Sequence, residues 1–300
     1  MSGLLELPGG ATLTLEPGRP RIMGIVNANP DSFSDAVRLR TLDDQVGHAL
    51  ALVEQGADII DVGGESGVTN TAVTAPQAEI ERVVPLVERL VARGILVSID
   101  TWKPKVAGAA VDAGAAIIND VSGLADPRLA AIAAQSGAAL VVMHTRATPK
   151  QVGFADYGGD VVGDVERFLR ERLEVARAAG VGERSLIVDP GPDFAKTPAE
   201  SVLVLQQLER IVAIGPPLLL PVSRKYFVGA ITGREPPQRL AGTLAALAHG
   251  VARGAAIVRV HDVAAVADFL AVQRVMDGAD PMPDFDAADE RLKWIPAAPD

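Results

Sequence analysis

The sequence predicts an α/β protein, a (β/α)8 TIM barrel preceded by an N-terminal β-hairpin. Three observations carry this reading. Eight short, near-continuous apolar runs alternate with amphipathic segments, polar residues gather at the C-terminal end of every run, and no G-x-G-x-x-G follows the first run. A near-continuous apolar run marks a strand covered on both faces, as a parallel strand between helices is. Eight strand–helix units in series favour a closed parallel barrel. An open doubly wound sheet is the runner-up, and the missing glycine fingerprint removes its main support.

The elements follow in order. Residues 1–20 read as a small hairpin around Pro8-Gly9-Gly10, placed to plug the barrel's N-terminal end. The strand runs are RIMGIVN (21–27), DIIDV (58–62), ILVSID (95–100) and AAIIND (115–120). They continue as ALVVMH (139–144), SLIVD (185–189), PLLLPV (217–222) and AIVRVH (256–261). Helical patterns lie near 41–55, 76–93, 104–113, 126–136, 160–179, 197–213, 238–253 and 263–276. Start signals are Thr41 with Asp43 and Asp44, and prolines at 76, 104, 127 and 198 in first turns. Gly56, Gly94, Gly114, Gly137, Gly180 and Gly254 mark helix ends. The barrel body is assigned to 21–278, and 279–300, rich in Pro, Ala and Asp, reads as a loose tail.

Composition narrows the function. With 300 residues and a net charge of −10, the chain has no broad basic face for nucleic acid. Aromatics make up 4%, too few for base-stacking platforms. There is no cysteine, so disulfides, thiolate nucleophiles and thiolate metal sites are excluded. MSGLLELPGG lacks a basic start and long apolar core, and no run approaches about 20 apolar residues. A cytoplasmic protein that does not bind membrane is expected.

In a parallel barrel all strand C-termini open on one face, where chemistry sits. The runs end on Asn27, Gly63-Gly64-Glu65-Ser66, Asp100-Thr101, Asn119-Asp120, His144, Asp189, Ser223-Arg224-Lys225, and Arg259 with His261. Taken singly, each has an ordinary explanation, such as a helix cap or a satisfied core histidine. Taken together they line one rim, and unpaired buried polar groups each cost about 1–3 kcal/mol. Asp100, Asn119 and Asp189 suit a flat, nitrogen-rich heterocycle with several N–H donors. Lys225, Arg259 and His261, with the loop-to-helix start at 223–226, suit phosphate or diphosphate. Asn27 and the adjacent NPDSFSD offer oxygens that could hold Mg²⁺ on such an anion. No G-x-S-x-G elbow or H-E-x-x-H is present.

IMGIVNANPDSFSD (22–35), GADIIDVGGES (56–66), VSIDT (97–101), IINDVSG (117–123), DPGPDFAKT (189–197), SRKYFVG (223–229) and RVHDV (259–263) resemble the dihydropteroate synthase family, in its order, over about 20–275. The resemblance implies a barrel that joins 6-hydroxymethyl-7,8-dihydropterin diphosphate to p-aminobenzoate, giving dihydropteroate and diphosphate. It places Asp100, Asn119, Asp189 and Lys225 on the pterin. Asn27, Arg259 and His261 fall on the diphosphate, with Asn27 also a ligand to the Mg²⁺ cofactor. Lys225, Arg259 and Asp35 become the catalytic residues, with Phe33 and Asp35 in a first loop that closes over the intermediate. The helix start after Lys225 would face the acceptor's carboxylate, and Ser66, Gly67, Ser223 and Tyr226 would surround the acceptor. A homodimer through outer helices is implied as well.

The chain departs from the family's pattern in the acceptor half. Glu65-Ser66 is followed by Gly67, Val68 and Thr69, where the family usually has Thr-Arg-Pro-Gly. Asn29 replaces a usual Thr, and Ala36 and Asp193 each replace a usual Gly. Other readings therefore stay open. One is a paralogue with the same pterin site and a different amine or weak synthase activity. Another is a methyltetrahydrofolate–corrinoid methyltransferase-like protein, and a third is a pterin-binding protein without turnover.

Overall fold

The structure is a computed structural model that describes residues 3–28, 41–65, 72–151 and 153–284. It opens with an antiparallel hairpin, β1 (Gly3–Glu6) and β2 (Thr12–Leu15), turning where Gly9 and Gly10 take φ of 69° and 78°. The other strands are β3 (Arg21–Asn27), β4 (Ile59–Gly63), β5 (Val97–Asp100), β6 (Ile117–Asp120), β7 (Ala139–Met143), β8 (Leu186–Asp189), β9 (Leu218–Leu220) and β10 (Ala255–Val260). Among the described residues these eight pair in parallel, each with its sequence neighbour, and β10 closes on β3. The expected (β/α)8 barrel with an N-terminal hairpin is therefore the observed fold.

The helices are α1 (Leu42–Glu54), α2 (Pro76–Val91), α3 (Pro104–Asp112), α4 (Arg128–Ser136), α5 (Val161–Ala178), α6 (Pro198–Gln206), α7 (Leu208–Val212), α8 (Tyr226–Thr232), α9 (Leu240–Val251) and α10 (Val263–Met276). Thr41 starts α1 through a capping box: its Oγ1 accepts from the Asp44 N–H, and Asp44 accepts from the Thr41 N–H. Thr197 and Glu200 repeat the device at α6. The single helix expected over 197–213 is two helices, broken at Gln207 (φ −110°, ψ 31°), and no Gly or Pro marks the break. The run expected over 217–222 pairs only at Leu218–Leu220, because Pro217 and Pro221 bracket it and donate nothing to a ladder.

Two cores result. The larger lies between the strands and the helices, with Ile60, Val62, Ile99, Ile118, Val142 and Val188 on its inner side. The smaller fills the barrel with Met23, Ile59, Ile117, Val141, Ile187, Leu219 and Ile257, and Leu5, Leu7 and Leu15 of the hairpin pack beneath them. Burying one such side chain contributes about 1.5–3 kcal/mol, so the hairpin is a seal rather than a tail.

Candidate active site at the barrel mouth

Successive side chains on a strand face opposite sides, so the inward set keeps one parity. In β4 it runs Ile59, Asp61, Gly63, and in β6 it runs Ile117, Asn119. In β8 the set is Ile187, Asp189, and in β10 it is Ile257, Arg259. Each of these four strands thus changes from apolar to polar two residues nearer its C-terminus. The barrel is oil below and charge above.

The charged layer centres on Arg259. Its Nε donates to Asp61 Oδ2 at 2.6 Å and its NH2 to Asp100 Oδ2 at 2.7 Å. Asn119 Nδ2 donates to the same Asp61 Oδ2 at 3.1 Å. Asp61 Oδ1 and Asn119 Oδ1 are buried and have no hydrogen-bond partner among the described residues. Two orphaned acceptors in one buried cluster are expensive unless a ligand's donors satisfy them. Burial raises Asp100 to about 7, with the Asp61 charge adding to the rise and Arg259 opposing it. For Arg259, burial works against the charge, yet Asp61 and Asp100 more than offset it and hold the guanidinium above its usual value.

Asp189 stands across the mouth, pushed up to about 6 by burial although the Gly191 N–H and Lys225 oppose the shift. The chain turns sharply after it. A Cβ on Gly191 would lie 2.0 Å from the His144 carbonyl oxygen, and only glycine escapes that clash. Lys196 lies wholly buried behind this turn and donates to the carbonyls of Gly191 (2.8 Å), Phe194 (3.2 Å) and His144 (3.4 Å). Burial drives its ammonium down to about 7.

Lys225 reaches in from the turn between β9 and α8, its Nζ 4.4 Å from the centre of the Phe194 ring. Burial lowers its pKa. The turn is braced from behind: Arg239 NH1 donates to the carbonyls of Arg224 (2.9 Å) and Lys225 (3.1 Å), and Arg224 itself pairs with Asp262. Ser223 Oγ lies 3.0 Å from His261 Nδ1 and accepts from the His261 N–H at 3.2 Å, so this hydroxyl is occupied with positioning His261. Asn27 closes the ring, since a Cβ at Gly63 would stand 3.7 Å from both Asn27 Oδ1 and Asp100 Cβ.

A second ionic cluster supports the rim. Lys103 Nζ donates to both Glu65 and Glu79, Thr101 Oγ1 donates to Glu79 at 2.9 Å, and the Thr74 N–H donates to Glu65 at 2.8 Å. Glu65 thereby joins Thr74 to Lys103 at the rim. Gly64 permits the approach, because a Cβ there would lie 2.7 Å from Glu79 Cγ.

The residues read from the sequence divide as follows. Asn27, Asp100, Asn119, Asp189, Lys225, Arg259 and His261 meet at the mouth. Arg259, assigned above to the diphosphate, binds Asp61 and Asp100 beside the Asn119 cluster. Tyr226, assigned to the acceptor, has its backbone N–H on the Asp193 carboxylate. Asp35, Ser66, Gly67 and Phe33 lie outside the described residues. His144 and Asp120, both read as rim residues, do not serve the mouth. His144 is fully buried, paired with Asp164 at 3.0 Å and edge-on to Phe168, and burial pushes it down to about 3. Asp120 accepts from the N–H groups of Ser122 and Leu124 and so shapes its own loop. Asp61, Lys103, Glu79 and Lys196 were missed. Asp61 had a signal, since it breaks an apolar run at inward parity. Lys196 had none.

A family profile described as pterin binding enzyme matches residues 23–261. The chain is 41% identical over 248 residues to a dihydropteroate synthase of Bacillus subtilis, covering 82% of this chain and 85% of that one. Among solved structures, Xanthomonas albilineans dihydropteroate synthase with 4-aminobenzoic acid superposes with a TM-score of 0.84, at 43% identity over 94% of this chain and 100% of that one. The same enzyme in complex with 7,8-dihydropteroate gives 0.80, at 43% identity over 93% and 100%. The chain belongs to the dihydropteroate synthase family of pterin-binding enzymes.

Proposed function

We propose that this chain condenses 6-hydroxymethyl-7,8-dihydropterin diphosphate with p-aminobenzoate, forming dihydropteroate and diphosphate. The observation that carries the reading is the Asp61–Arg259–Asp100 bridge with Asn119 beside it, which leaves two buried acceptor oxygens without partners. A pterin edge is a fixed row of N–H donors and ring acceptors, and it would satisfy them. Asp189 and Lys225 take the other side of the ring.

The charges suit the reaction. As diphosphate departs, positive charge develops on the pterin methylene, and the carboxylates of Asp61, Asp100 and Asp189 favour it. Asn27 and His261 stand at the rim, where the departing oxygens would be met. The aniline nitrogen is neutral and nucleophilic, so no strong base is required at the acceptor side. Mg²⁺ fits this site on the chemistry of its donors: Asn27 at the rim offers one amide oxygen, and the adjacent NPDSFSD lies outside the described residues. Mg²⁺ typically keeps several waters and takes phosphate oxygens, and when bound it would neutralise charge on the leaving group.

One observation favours a changed acceptor. The N–H groups of Tyr226 and Phe227 already have a carboxylate partner in Asp193, at the place assigned to the acceptor's own carboxylate. A coupled assay of diphosphate release and dihydropteroate formation decides. Dihydropteroate at micromolar p-aminobenzoate supports the synthase, and diphosphate release only with other amines supports the altered acceptor. No diphosphate release with any amine would sink both.

The expected homodimer has a face to use. A groove of about 340 Å³ lies between α6, α8 and α9, lined by Val202, Phe227, Val228 and Ile231, with Ile231 69% exposed. A second copy is the occupant we assign to it, and light scattering of Ile231→Glu against the parent tests it. No helix among the described residues is long and apolar enough to cross a membrane.

A further inference from the structure

Asp193 takes φ of 66°, the left-handed region, in a loop where Gly191 (59°) and Ala195 (57°) do the same. Asn and Asp are the non-glycine residues that tolerate this best, so the backbone leaves Asp193 little strain. Its carboxylate is held on three sides. The buried Ser201 hydroxyl accepts from the Asp193 N–H at 2.9 Å and donates to Oδ1 at 3.2 Å. Oδ2 accepts from the Tyr226 N–H, and the Phe227 N–H lies 3.3 and 3.4 Å from the two oxygens. One carboxylate thus joins the β8–α6 loop to the first two residues after Lys225. The next residue, Phe194, supplies the ring that faces the Lys225 ammonium.

We propose that Asp193 is a positioning residue for Lys225, fixing the start of α8 so that the ammonium lies over Phe194 and keeping that ammonium charged in the mouth. The proposal rests on the reading of Lys225 as a pterin-holding group. The groups acting on Lys225 come from four elements. Asp193 and Asp189 at β8 and its loop, and Asp100 on β5, favour its charge, while Arg259 on β10 opposes it. Buried Lys196 adds a second cation nearby, since each lysine's field reaches the other. Of the favouring charges, Asp193 acts most strongly. Burial acts the other way and is the largest influence, so the ammonium depends on these partners.

The test removes the charge and keeps the shape. Asp193→Asn preserves the left-handed backbone and an oxygen for the Tyr226 N–H. The pKa of Lys225 is read without substrate, from the pH dependence of trace acetylation followed by peptide mass spectrometry. We expect it to fall by about one unit, and the alkaline limb of kcat/KM for the pterin diphosphate to fall equally. Asp193→Gly is unstrained at this φ and secures the measurement should the Asn variant misfold. It should shift the pKa equally and raise KM further, because the cap is lost. Asp193→Glu keeps the charge and should titrate near the parent. Unchanged acetylation profiles in both the Asn and the Gly variants overturn the proposal. A shifted acetylation profile with an unshifted kinetic limb, or with no turnover in the parent, upholds Asp193 and overturns the role assigned to Lys225.

Discussion

Arg259 holds Asp61 and Asp100 together, with one nitrogen at 2.6 Å from the first and another at 2.7 Å from the second. Asp61 is fully buried, so it has no water to fall back on. Arg259→Met would leave two carboxylates facing each other in the barrel. Breaking a buried ion pair from one side costs about 3–5 kcal/mol, and urea unfolding should show a loss of that size. Arg259→Lys restores charge but not the fork that reaches both partners, so it should recover only part. An Arg259→Met midpoint equal to the parent's would refute the account.

Ligand binding and stability should respond to pH in opposite directions. A carboxylate that accepts a ligand N–H must be ionised. With Asp100 near 7 and Asp189 near 6, pterin affinity should be flat above 7, then fall about tenfold per unit below 7 and more steeply below 6. Both folded values lie above the roughly 4 of an unfolded chain. Their contribution to the stability of the unliganded protein is therefore full below about pH 4 and lost as pH rises through 6 to 7. Calorimetric titration and thermal unfolding across pH 4–8.5 separate the two trends. Pterin affinity independent of pH from 5 to 8 would contradict the assignment.

The Lys103 cluster should behave as a unit. Lys103→Met strands two buried carboxylates and should destabilise by about 3–5 kcal/mol. Adding Glu79→Gln removes one of them, so the double variant should lose less than the two single losses summed. Strict additivity in the double-mutant cycle would show that the three groups do not act together.

Lys196→Met should damage the site from behind. Three carbonyls lose their donor, which costs about 1–3 kcal/mol of stability. The loop they shape carries Asp189 and Phe194, so kcat/KM for the pterin diphosphate should fall while the barrel still folds. A variant with lowered stability and parental kinetics would show that the loop needs no brace.

The fold was legible because its evidence is repeated: eight apolar runs, eight helical intervals and helix-start residues such as Thr41 and Pro76. The break at Gln207 was not, because no local residue encodes it. At the site, residues that end a run were easy to find, and Asn27, Asp100, Asn119 and Asp189 do meet. Asp61 was harder because it sits inside a run, where only inward parity sets it apart from Ile60 and Val62. His144 misled for a related reason. A strand end tells where a residue lies along the axis, not whether it turns to the mouth or, as here, back toward Asp164 on α5. Lys103 binds Glu65 and Glu79, both distant in sequence, Lys196 binds backbone carbonyls, which carry no residue signature, and nothing local announces a buried lysine.

The hairpin beneath the barrel has a kinetic consequence. With Leu5, Leu7 and Leu15 clustered with Met23 and Ile257, the vessel has a floor, and among the described residues its polar end is the doorway. Whatever is consumed and whatever is released share that doorway. A departing diphosphate stands in the path of the incoming amine, so the order of events at the entrance is imposed by traffic as much as by chemistry.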